Sequence, residues 1–234
     1  MLKIKSLKNN LSKVIVNRYF FIFSCLSIFL AIMVNDSFKS KKLYVSGIFI
    51  CLILIIINFL SFEKKQLDNK KLTLICTFIS IGTISRCALY FIPCIKPLTS
   101  IIILSSIFLD ITESFFIGSI SMLVSNIFLG QGPWTFWQMI AAGLVGAFSS
   151  FIFNTLKFKP SNINLILVTV ISISLIYSPI MNVSSFIFMF SEFNPSLLLT
   201  YLITCLVNDI SHLVVTIIIL LSVHKMSKKY ILDT

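Results

Sequence analysis

Apolar residues run along this chain in long blocks, without the alternation of a half-buried strand or the single stripe of a surface helix. A helix needs about 20 mostly apolar residues to cross the hydrocarbon core of a bilayer. On that measure the blocks near 15–34, 44–62, 72–92, 98–109, 111–129, 136–154, 162–182 and 197–222 predict membrane segments. The fold class is therefore an all-α polytopic membrane protein, because only helices and closed barrels satisfy their backbone polar groups in lipid. The fourth block is too short to cross alone at about 1.5 Å per residue. It follows Pro93 and Pro97 and ends at Asp110, so the chain is expected to enter there, turn inside the protein and leave again. Backbone of that kind is tolerated only when buried in protein or lining a cavity, which makes this region the first place to look for a site.

Composition agrees with the pattern and closes off other classes. Of 234 residues 57% are hydrophobic and only 12% charged, with 23 Phe, more apolar surface than a soluble fold of this size could cover. The net charge of +11 comes from 19 Lys+Arg against 8 Asp+Glu. Placed on the predicted spans, most of that excess falls on one side. Lys3 to Arg18, Lys64 to Lys71, Lys157, Lys159 and Lys225 to Lys229 lie together, whereas Lys39, Lys41, Lys42 and Lys96 lie opposite. The positive-inside rule then puts both termini in the cytoplasm, in a multi-pass protein of the plasma membrane. The charge is topology, and no nucleic-acid partner is needed to account for it. The first block has too long an apolar core for a signal peptide and no small-residue cleavage site after it, so it reads as an anchor. The six cysteines show no CxxC spacing, and neither a metal nor a cofactor is expected.

A charged link at Glu63–Lys71 divides the chain. Residues 1–71 form a basic segment and a two-helix membrane hairpin; residues 72–234 hold all six prolines, both tryptophans and most intramembrane polar groups. No GxxxxGK[ST], GxGxxG, HExxH or GxSxG occurs, so any uphill transport draws its energy from a partner or an ion gradient.

Candidate chemistry concentrates in the second part. In Asn126-Ile-Phe-Leu-Gly-Gln-Gly-Pro-Trp-Thr-Phe-Trp-Gln-Met139, Gly130, Gly132 and Pro133 predict a tight turn between two spans, facing outside. Trp134 and Trp137 offer flat apolar faces, and Gln131 and Gln138 offer donors and acceptors, a mixture suited to an organic ligand. The alternative is interfacial anchoring by tryptophan. Arg86, deep in the 72–92 block, costs about 3 kcal/mol or more if unpaired. It is read as a counter-charge to a ligand, with Lys96 nearby, or else as a snorkelling side chain or the ion-pair partner of Asp209. Asp110 and Glu113 are spaced as a capping box for the next helix. Asp209 and His212 share a face of the last span beside Asn208, as a structural pair or as a functional contact. Ala142-x-x-x-Gly146, Gly143-x-x-x-Ala147 and the Cys76, Ser80, Gly82 set permit close helix approach, within the bundle or against a membrane partner. The segment 183–196, with Phe186, Phe188, Phe190 and Phe193, is expected to be an outer loop, as a lid or dipping into the interface.

These residues resemble a known family, the substrate-binding S components of energy-coupling factor (ECF) vitamin transporters. The resemblance is carried by Ser85-Arg86, Pro93, Lys96-Pro97-Leu98-Thr99 and Val124-Ser125-Asn126. Gly130-Gln131-Gly132-Pro133-Trp134-Thr135, Trp137-Gln138-Met139 and Asp209-Ile-Ser-His212 follow in order. It spans roughly residues 72–225 and is most similar to the cobalamin-type members. It implies a six-helix S-component core preceded here by two extra transmembrane helices. It also implies a membrane coupling protein and two cytoplasmic ATPases as partners, with a vitamin bound from outside and released inward. The substrate-binding residues it implies are Arg86, Lys96, Asn126, Gln131, Trp134, Trp137, Gln138, Asp209 and His212; Cys76, Ser80 and Gly82 would dock the coupling protein. Two competing hypotheses are a membrane enzyme acting on a lipid or small substrate through Asp209, His212 and Arg86, and a purely structural membrane protein.

Overall fold

The computed structural model describes residues 40–65, 67–92, 95–190 and 194–231. The predicted span at 15–34 and its basic flank, Pro93, Cys94 and Phe193 lie outside the described residues. Within them the chain forms α1 (Ser40–Glu63), α2 (Asn69–Ala88), α3 (Pro97–Ser105), α4 (Ile111–Leu129), α5 (Trp134–Thr155), α6 (Asn162–Met189) and α7 (Pro195–Ile231). All but α3 are long and apolar enough to cross a membrane, so the all-α polytopic architecture stands.

The antiparallel pair α4 and α5 forms the centre, with α2 and α3 on one side and α1 and α6 on the other; α7 closes against α3 and α6. Small residues set how near α4 and α5 come. A Cβ on Gly118 would lie 2.4 Å from the Ala142 carbonyl oxygen, and one on Gly146 2.4 Å from that of Ser114. The small-residue spacing of α5 thus serves packing inside the bundle. Ser119 on α4 adds a hydrogen bond to the Met139 carbonyl, 3.0 Å.

The short fourth segment does not turn back. It starts near the Arg86 end of α2 and finishes at Asp110, which meets Lys65 and Lys71 at the opposite end of the bundle. Nine helical residues cover only about 14 Å, and the turns of Ser106–Leu109 extend the path. Every residue of α3 is buried, so this short helix has protein for its surroundings. Asn154 donates to the carbonyls of Ser106 and Leu109, both at 2.8 Å, and Ser150 donates to Leu109 at 2.7 Å. These bonds satisfy acceptors that water would take in a soluble protein. Asn154 sits in a π-helical turn, Phe151–Thr155, that ends α5.

At the same end, the Asp110 N–H donates to Glu113 Oε2 at 3.0 Å, completing the capping box expected of the pair. The charges carry a second role that spacing did not reveal. Lys65 reaches Asp110 at 3.1 Å and buried Glu113 at 3.2 Å, and Lys71 reaches Glu113 at 3.3 Å. Two lysines assigned to topology therefore also fasten the link after α1 to the start of α4. Burial alone would raise the Asp110 pKa, but Lys65 and Lys71 hold it below its ordinary value.

The expected outer loop at 183–196 is mostly helix. A π-helical turn, Ser172–Tyr177, lies within α6, which continues to Met189. Phe186 is fully buried, with its ring against those of Phe190 and Tyr201.

Candidate functional site

The turn after α4 sets the site's geometry. Gly130 ends α4 at φ +112°, a conformation closed to other residues without strain. Pro133 then precedes the first turn of α5, and Thr135 closes the loop. Its hydroxyl donates to Gln131 Oε1 at 3.0 Å and accepts from the Gly132 N–H at 3.2 Å. Gln131 Nε2 donates back to the Leu123 carbonyl at 3.1 Å.

Asn126, one helical turn before Gly130, joins this turn to the rest of the bundle. Its amide donates to Gln138 Oε1 at 2.7 Å and to Thr135 at 3.2 Å. Its oxygen accepts from Arg86 Nη1 at 2.7 Å, and the same guanidinium nitrogen donates to Ser125. The intramembrane charge is thus met by neutral acceptors on α4. Asp209 instead accepts from Asn182 Nδ2 at 2.7 Å.

A second group lies across the bundle. Thr99, in the first turn of α3, hydrogen-bonds His212 Nε2 at 3.1 Å. Tyr177 packs edge-on against the His212 ring, centroids 5.0 Å apart. Tyr177 also stands within electrostatic reach of both Arg86 and Asp209. Lys96, preceding α3, lies within electrostatic reach of His212.

Of the residues singled out in the sequence, Arg86, Asn126, Gln131 and Gln138 are joined through Thr135 in one hydrogen-bonded cluster, whereas His212 pairs with Thr99 and Asp209 with Asn182. The tryptophans part company. Trp134 is half exposed over Gly132, whereas Trp137 is buried against Gly47 and Tyr44 of α1. The docking trio divides as well. Cys76 and Ser80 are exposed on α2, but Gly82 faces inward, where a Cβ would lie 2.7 Å from Leu98. Ser125, Thr135 and Asn182 were missed as site residues, though each is a polar group within or beside an apolar span. Tyr177 carried no sequence signal, because an aromatic residue in a membrane helix is ordinarily packing.

The family model for the S component of ECF-type riboflavin transporters matches residues 72–225. This chain belongs to that family. No individual curated protein and no solved structure matches it. An S component is the substrate-binding subunit of a vitamin transporter and not an enzyme, and it works with an ECF module of ATPases and a transmembrane T component. The hypothesis of an enzyme built on Asp209, His212 and Arg86 falls with that assignment. The cobalamin-type resemblance is not supported, since the matching family is the riboflavin type. The matched stretch begins one residue after the charged link, so α1 lies outside it.

Proposed function

We propose that this S component captures riboflavin, or a vitamin with the same flat, neutral, polar-edged ring, from the outer face of the plasma membrane. The Arg86 end of the bundle faces outside and both termini face the cytoplasm. A coupling protein and two ATPases supply the energy for inward release. The observation that carries the reading is the Arg86–Asn126–Gln138–Thr135–Gln131 cluster, four side chains from three helices and one from the α4–α5 turn, joined at one end of the bundle. Amide groups present donors and acceptors together, matching a ring whose edge alternates the two. Trp134 adds a half-exposed aromatic face beside them. The cluster's one charge is already held by neutral acceptors, which favours a neutral ligand over the phosphate-bearing one suggested by the resemblance.

The test is ligand binding by the purified, detergent-solubilised chain across a vitamin panel containing riboflavin and cobalamin, followed by quenching of riboflavin emission and of intrinsic tryptophan emission. Saturable binding of riboflavin alone is expected. Saturable binding of cobalamin without riboflavin overturns the proposed ligand. Uptake into cells is expected only when the ATPase module is co-expressed.

A further inference from the structure

Helix α1 precedes the family-matched stretch, yet it is fastened to the core along its whole length. At the inner-charge end Phe62 stacks on Phe116, with centroids 4.1 Å apart and planes within 4°. In the middle Cys51, Leu54 and Ile55 are buried. At the other end Tyr44 meets Phe188 of α6 at 5.1 Å and Trp137 of α5 at 6.0 Å. At Gly47 the approach is tight: a Cβ there would lie 2.2 Å from Trp137 Cζ2 and 2.5 Å from Cη2. The six-membered ring of the indole therefore lies over the bare backbone of α1.

Trp137 and Gln138 are successive residues of one helix, about 100° apart around its axis. With the indole seated on α1, Gln138 is turned toward α4, where it accepts from Asn126 at 2.7 Å. We infer that α1 is a positioning element for the vitamin site: Gly47 leaves the space in which Trp137 sits, and the seated indole holds Gln138 against Asn126. A helix outside the matched stretch thereby sets the shape of the cluster without touching the ligand. Gly47 and Tyr44 are positioning residues. The inference rests on the reading of that cluster as the ligand site.

The experiment is a double-mutant cycle on the full chain with two readouts, riboflavin affinity and hydrogen exchange of the 126–138 peptide without ligand. Gly47→Leu is expected to weaken binding about tenfold or more and to speed exchange at the turn, because core contacts of this kind couple strongly. Adding Trp137→Phe removes the colliding ring atoms and is expected to restore both readouts to within about threefold of the Trp137→Phe single variant. Faster exchange confined to the 126–138 peptide, with the α7 peptides unchanged, separates this from a general loss of stability. If Gly47→Leu fails to fold, Tyr44→Ala unseats the indole without adding bulk and is expected to move both readouts in the same direction. Unchanged exchange in these variants, or a Gly47→Leu defect that Trp137→Phe leaves in place, overturns the inference. Failure of the unmodified chain to bind riboflavin would overturn the proposed ligand instead, and exchange alone would then decide the role of α1.

Discussion

Asn126 is the residue on which the site turns, since it receives Arg86 with its oxygen and serves Gln138 and Thr135 with its amide. Asn126→Ala leaves the half-buried Arg86 guanidinium short of one acceptor and frees Gln138, and unpaired buried polar groups cost about 1–3 kcal/mol each. Riboflavin affinity is expected to fall about tenfold or more, since about 1.4 kcal/mol is a factor of ten. Gly130 separates backbone strain from crowding. Nothing lies within 4 Å of a Cβ built there, yet its φ of +112° is unsuited to alanine. Gly130→Ala is expected to lower the thermal midpoint of the purified chain through a cost of about 1–3 kcal/mol, with no steric clash to relieve. A midpoint unchanged from that of the unmodified chain would show that the turn relaxes freely.

Between elements, the α4–α5 pair is where volume decides the outcome. Gly146→Val drives a branched side chain into the Ser114 carbonyl, and overpacking of a tight core costs about 1–3 kcal/mol and sometimes more. A sharply reduced yield of monodisperse protein is the expected result, read by size-exclusion chromatography. Ile218→Ala, on the exposed face of α7, is the matched control and is expected to leave the yield unchanged. The same scale explains why α3 can be so short. Lipid demands about 20 residues of helix only where lipid is the surroundings, and α3 is enclosed by α2, α4, α5 and α7.

For the whole molecule, the four charges at the Lys65 end join the segment after α1 to the start of α4. Because the Asp110 pKa is lower folded than unfolded, its pairing stabilises the fold at pH above its ordinary value of 3.8. That contribution is lost as pH falls through the lower, folded value. The Asp110 side chain is 54% exposed, so solvent screening keeps the effect modest. Asp110→Asn is expected to lower stability modestly near neutrality and to leave it almost unmoved at pH below the folded pKa, so that the acid limb of the stability–pH curve flattens, as measured by thermal unfolding.

Hydrophobic run length alone determined the membrane class, six of the helices and the ends of most of them, because lipid imposes one requirement on every span. The polar residues of the candidate site were legible for a related reason. Arg86, Asn126, Asp209 and His212 are costly in an apolar segment and therefore conspicuous. Packing could not be read the same way. The path of residues 97–110 across the bundle depends on Asn154 and Ser150, more than 40 residues along the chain. The opposite fates of Trp134 and Trp137 depend on Gly47, about 90 residues earlier. Buried Gly82 and exposed Cys76 share one helix, and only the neighbours of α2 tell their faces apart. Residue type reports the cost of a medium; which atoms fill the space beside it is decided by segments far away in sequence, and so by the tertiary structure.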